Sequence, residues 1–158
     1  IHKMNQWAGQ PLPLSAAACS GETLYIRLSS SAPGVQAAHA KLGGVIAKNT
    51  NFWEELREQR LLFFQDTTPL WRLSVPAATP MLAISGKCLL DWGGAQRWLK
   101  SEASAQEIRS KAQSVGGYAI LFRGSKSYTR DNPELSKSAQ LLQKRIKHAL
   151  DPAGILNC

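Results

Sequence analysis

Four side chains in this sequence are of a type and spacing that could hold an anion: Tyr25, Arg27, Arg72 and Arg97. A guanidinium presents parallel N–H donors that match both oxygens of a carboxylate. Arg27 lies in Thr23-Leu24-Tyr25-Ile26-Arg27-Leu28-Ser29. Alternation there turns Leu24, Ile26 and Leu28 toward a core and Tyr25, Arg27 and Ser29 away from it. Arg72 lies in Leu70-Trp71-Arg72-Leu73-Ser74-Val75, with Trp71, Leu73 and Val75 on the core face. On neighbouring strands, Arg27 and Arg72 would form an anion pocket floored by Tyr25. The competing explanation is a set of salt bridges from the sheet to a partner domain.

Arg97 belongs to a second cluster, Lys87-Cys88-Leu89-Leu90-Asp91-Trp92-Gly93-Gly94-Ala95-Gln96-Arg97-Trp98-Leu99. The pattern predicts strand, Gly-Gly turn, strand, with the glycines supplying positive φ angles. Cys88, Leu90 and Trp92 share one face, so Trp92 is expected to pack with Leu90 into the core. Arg97 shares a face with Ala95 and Leu99. A structural pairing with Asp91 and a substrate contact are both open to it, which leaves Arg72 the stronger anion ligand.

Other chemistries find little support. The three cysteines, Cys19, Cys88 and Cys158, are scattered, and so are the three histidines. No disulfide framework or metal-ligand spacing results, so no metal is expected. No Ser/His/Asp set is visible in the sequence. Gly43-Gly44, Gly93-Gly94 and Gly116-Gly117 fit neither GxGxxG nor a P-loop; they suit helix ends and a hairpin. No catalytic residue is assigned.

These side chains need a scaffold. Residues 1–20 read as a connector, with Gln10-Pro11-Leu12-Pro13-Leu14 extended. A helix follows from Pro33 to about Leu42, ended by Gly43-Gly44, and then a short strand Val45-Ile46-Ala47. Asn51 is placed to cap a helix reaching Phe63, with Glu54 close to the capping-box position. Ser104 caps another helix, with Glu107 at the capping-box position. Tyr118 to Arg123 reads as a central strand by its apolarity. Gly124 to Arg130 is a polar loop, and a last helix runs from Pro133 to Leu150. The order β-α-β-α-β-β-β-α-β-α predicts an α+β fold: a mainly antiparallel sheet with helices packed on one face.

The 158 residues suffice for one domain with a core, and 44% hydrophobic against 19% charged content excludes disorder. No apolar run approaches the ~20 residues of a membrane span. A formal net charge of +8 would attract phosphates, carboxylates or an acidic partner, or simply be a solvated surface. Nucleic acid is the weaker alternative, because no RNP-type pattern accompanies the basic charge.

The closing stretch Asp151-Pro152-Ala153-Gly154-Ile155-Leu156-Asn157 resembles the end of FAD-linked oxidases of the vanillyl-alcohol oxidase type. Three further stretches carry the likeness: Asn5 to Ser15, Pro69 to Pro76 and Asp91 to Trp98. Together they are similar to the glycolate oxidase branch, over nearly the whole chain. The resemblance implies an α+β cap domain over residues 21–158, joined by the 1–20 connector to an N-terminal FAD-binding domain outside this sequence. It implies part of a complex that oxidises glycolate to glyoxylate, with a D-type flavoprotein subunit and an iron–sulfur F subunit as partners. FAD would be bound mainly by the N-terminal domain, with Asn157 as this chain's cofactor-binding candidate. Arg72, Arg27, Tyr25 and Arg97 become the substrate-binding candidates. A non-catalytic subunit-docking module is the alternative role. The scattered cysteines fit a reducing, cytoplasmic setting; the resemblance adds membrane association through the complex and implies an inactive isolated fragment. The chain departs from related 2-hydroxy-acid dehydrogenases in lacking their histidine-based metal cluster.

Overall fold

The structure is a computed structural model that describes residues 1–48, 51–124 and 137–155. Its centre is a six-stranded sheet, antiparallel at every paired edge. In chain order the elements are α1 (His2–Ala8), β1 (Leu14–Ser20), β2 (Thr23–Leu28), α2 (Ala32–Leu42) and α3 (Phe52–Arg57), then β3 (Leu70–Ser74), β4 (Lys87–Asp91), β5 (Gln96–Lys100), α4 (Ala105–Gln113), β6 (Tyr118–Arg123) and α5 (Lys137–Leu150). The strands lie side by side as β2-β1-β4-β5-β3-β6. The α+β class and antiparallel sheet are as the sequence predicts.

The helices divide between the two faces rather than sharing one. On one face Phe52 and Leu56 of α3 and the 3-10 turn at Phe64 bury Ala18, Leu70, Leu89 and Trp98. On the other, Ile108 and Ala112 of α4 cover Trp71, Leu73, Leu99, Ala119 and Leu121. Two covered faces explain why β3 reads as nearly continuous apolar sequence: neighbouring residues enter opposite cores. Ser104 caps α4 by accepting from the Glu107 amide at 3.2 Å, and Ser31 caps α2 through Gly34.

Several expectations are corrected. Residues 14–20, read as connector, are β1, inside the sheet between β2 and β4. Their small side chains hid the strand, but Gly21 at φ 59° closes the tight turn that pairs Ser20 with Thr23. Val45-Ile46-Ala47 is no strand. Gly43 and Gly44, both at positive φ, carry the chain away from the sheet, leaving Val45 93% exposed. Asn51 precedes α3 without a side-chain cap hydrogen bond, and α3 ends at Arg57 instead of Phe63. Finally, β6 is an edge strand; its apolarity serves Trp98, which meets Phe122 on one face, and α4, which covers Leu121 on the other.

Candidate functional site

The hairpin forms with Asp91 opposite Gln96, and Trp92–Gly94 make the turn. Asp91 organises the tip. Its Oδ1 accepts from the Trp92 amide at 2.8 Å and its Oδ2 from Gln96 Nε2 at 3.3 Å. Half-burial pushes its carboxyl above the usual aspartate range, against the pull of those two hydrogen bonds. Positive φ extends beyond the glycines to Trp92 itself, at 50°. Trp92 does not pack with Leu90: it is 72% exposed at the tip.

Beside this tip runs an open groove of about 970 Å³ on the α3 face of the sheet. Trp53 and Arg57 of α3 line one wall, Asp91, Trp92 and Gln96 the other, and Trp98 contributes to the floor. Arg27 enters it from β2. Its Nε donates to Ser15 Oγ at 2.9 Å, and that hydroxyl donates to the Arg27 carbonyl oxygen at 3.1 Å. The guanidinium also rests over the Trp53 ring, 5.6 Å from its centroid. Arg27 lines the groove, and neither of its Nη groups has a protein hydrogen-bond partner among the described residues. A carboxylate met in this way would receive the paired donors of a guanidinium already fixed in place.

The four anion candidates do not converge. Arg27 and Arg72 share a sheet face, but β1, β4 and β5 separate their strands. Four strand spacings put them about 19 Å apart. Tyr25 floors no pocket with them; it stacks on Phe52 with ring centroids 3.6 Å apart, inside the core that was expected to lie behind it. Arg72 is half-buried between Trp98 on β5 and Ile120 on β6, without a hydrogen bond or ion pair among the described residues. Arg97 lies on the opposite face and is 1% exposed. It pairs with neither Asp91 nor any other carboxylate among the described residues; its donors go to the carbonyls of Gly94, Thr79 and Pro80. The cofactor candidate Asn157 lies outside the described residues.

Sequence reasoning missed Ser15, Trp53 and Arg57. A signal for Ser15 existed in the Gly21-Glu22 turn. Reading that turn as a hairpin pairs residues 14–20 with β2 and sets Ser15 near Arg27.

No group of three or more potential metal ligands occurs among the described residues, and no helix there is long and apolar enough to cross a membrane. The described glycine pairs stand at helix ends and the hairpin tip, so they supply no phosphate cradle for a complete dinucleotide cofactor.

Fold and site thus define an antiparallel α+β domain with an arginine- and tryptophan-lined groove beside a strained hairpin. Compared with known proteins, the chain is similar to glycolate oxidase subunit GlcE of Escherichia coli (strain K12), 40% identical over 159 residues. The match takes in 99% of this chain and 44% of that subunit, so the chain spans less than half of its relative's length. This agrees with the resemblance read in the sequence. No family model matches the chain, and no solved structure matches it.

Proposed function

We propose that this chain is the cap part of a glycolate oxidase subunit, within a complex that oxidises glycolate to glyoxylate. The observation that carries this reading is the 40% identity to the E. coli subunit across 99% of the chain. FAD, the hydride acceptor, would sit mainly on a separate N-terminal domain, since the described residues do not fit a complete site for it. A D-type flavoprotein subunit and an iron–sulfur F subunit complete the proposed assembly.

Within that reading, Arg72 is the carboxylate ligand. It is half-buried, lies beside Trp98 and has no protein partner among the described residues. Burial strengthens a charge-assisted hydrogen bond to a small acid. Arg27, four strands away, cannot share the same two-carbon substrate, and Arg97 is committed to backbone carbonyls.

The test is Arg72→Ala in the complete complex. Glycolate-dependent dye reduction with KM raised about ten-fold or more and assembly intact supports the role. Lost assembly assigns Arg72 to docking. Unchanged KM and unchanged assembly remove it from the site. The isolated 158-residue chain is expected not to oxidise glycolate with a dye acceptor; turnover by it would overturn the cap assignment.

A further inference from the structure

We propose that the groove between the hairpin tip and α3 seats an acidic segment of a partner protein that also bears aromatic side chains. This inference stands on the groove alone and does not require the glycolate reading.

Size argues first. A groove of about 970 Å³ would be left mostly empty by a two-carbon acid, whereas several peptide residues would occupy it. Composition argues next. Tryptophan and arginine are the residues that dominate protein interfaces, and Trp53, Trp92, Arg27 and Arg57 all line this groove. Trp92 is presented rather than packed, since it is 72% exposed. Its left-handed backbone is costly for a bulky residue; it closes the turn, where the Trp92 carbonyl accepts from the Ala95 amide at 3.2 Å, but leaves the indole outside the core. The Asp91 carboxylate holds the tip by accepting its amide.

Charge then selects the occupant. Glu54 is already taken by Arg60 at 2.5 Å, and Arg57 by Glu58 at 2.7 Å. Asp91 is occupied by the Trp92 amide and Gln96. The lining cation with no carboxylate partner among the described residues is Arg27, tethered by Ser15 and backed by Trp53. Its pre-set fork lowers the ordering cost of gripping an aspartate or glutamate side chain. No continuous run of basic side chains tracks the groove, as a phosphate backbone would need, so a protein segment fits better than a single-stranded nucleic acid.

The test is fluorescence anisotropy with a fluorescein-labelled hexapeptide alternating glutamate and phenylalanine, titrated with the full-length protein that carries this chain. Saturable binding is expected, weakened about ten-fold or more by Arg27→Ala and by Trp92→Ala. Arg27→Lys should fail to restore it, because an ammonium lacks the paired donors. Lys87→Ala, at the far end of β4, should leave it unchanged. Four outcomes would overturn the proposal: no saturable binding, binding indifferent to both Arg27→Ala and Trp92→Ala, equal binding of a lysine–phenylalanine peptide, or tighter binding of an oligothymidylate. Circular dichroism of each variant checks that these exposed substitutions leave the fold in place.

Discussion

The guanidinium of Arg97 donates to the carbonyl oxygen of Pro80 at 2.8 Å, joining β5 to the loop that follows β3. The same side chain donates to Gly94 at 3.1 Å and to Thr79. A buried cation satisfied wholly by carbonyls is unusual, and burial pulls its pKa below the ordinary arginine value. Charge is not its contribution; geometry is. Three donors at fixed angles pin the loop to the hairpin.

Replacing Arg97 by Met should therefore destabilise the fold, because three carbonyls lose a partner although a buried charge is also removed. The expected loss is about 3 kcal/mol. Arg97→Lys should recover little, since an ammonium cannot reproduce the fork. Urea unfolding of both variants measures this. Parental stability in the Met variant would show that the clamp contributes nothing.

Asp91 makes a pH-dependent contribution of defined sign. Its folded pKa is raised above the ordinary 3.8 by burial. The folded state therefore binds more protons than the unfolded state between that value and the raised one. Stability contributed by this group is present at low pH and falls as pH rises through the window. An asparagine in its place would be neutral throughout and could still accept from the Trp92 amide. Asp91→Asn is expected to flatten this part of the stability–pH curve and to be at least as stable as the parent at pH 7. Guanidinium titrations from pH 3 to pH 8 test it.

Lys100 and Asp66 behave in the opposite sense. Lys100 is 6% exposed, hydrogen-bonded to Asp66 and 5.0 Å from the Phe63 ring centroid. The hydrogen bond from Lys100 holds the Asp66 carboxyl below its ordinary value, outweighing a smaller upward push from desolvation. Stability from Asp66 is present above its unfolded pKa and is lost as pH falls through the lower folded value. Asp66→Asn leaves a buried ammonium without its anion, whereas Lys100→Met removes the buried charge altogether. Asp66→Asn should lower Tm more than Lys100→Met does, a comparison thermal unfolding makes directly.

What the sequence made legible follows from side-chain size and period. β2 and β3 carry large residues in alternation and end within one residue of the stretches that the pattern marks, and β6 spans the apolar run Tyr118–Arg123. β1 was hidden because Ala16, Ala17 and Ala18 carry no period, although Ala18 is fully buried under Phe52. The likeness to a glycolate oxidase subunit was legible in Asp91 to Trp98, but the roles of those residues were not. Alternation cannot say that Arg97 will meet carbonyls brought in by a loop. Nor can it say which strands are neighbours, and strand order alone dissolved the Arg27–Arg72 pocket.

Trp92 and Trp71 provide the sharpest contrast between sequence type and structural role. Trp71 is fully buried, whereas Trp92 is 72% exposed at φ 50°. Truncating Trp71 to Ala should cost about 3–5 kcal/mol, as expected for a large core cavity. Trp92→Asn gives up only partial burial and places at the tip a residue that tolerates the left-handed region. Relief of backbone strain offsets the lost contact, so its stability should stay within about 1 kcal/mol of the parent. A loss above about 3 kcal/mol in urea unfolding, the size of a large core truncation, would make Trp92 a core residue after all. A near-neutral result leaves the strained, exposed indole without a folding role and directs attention to what it touches.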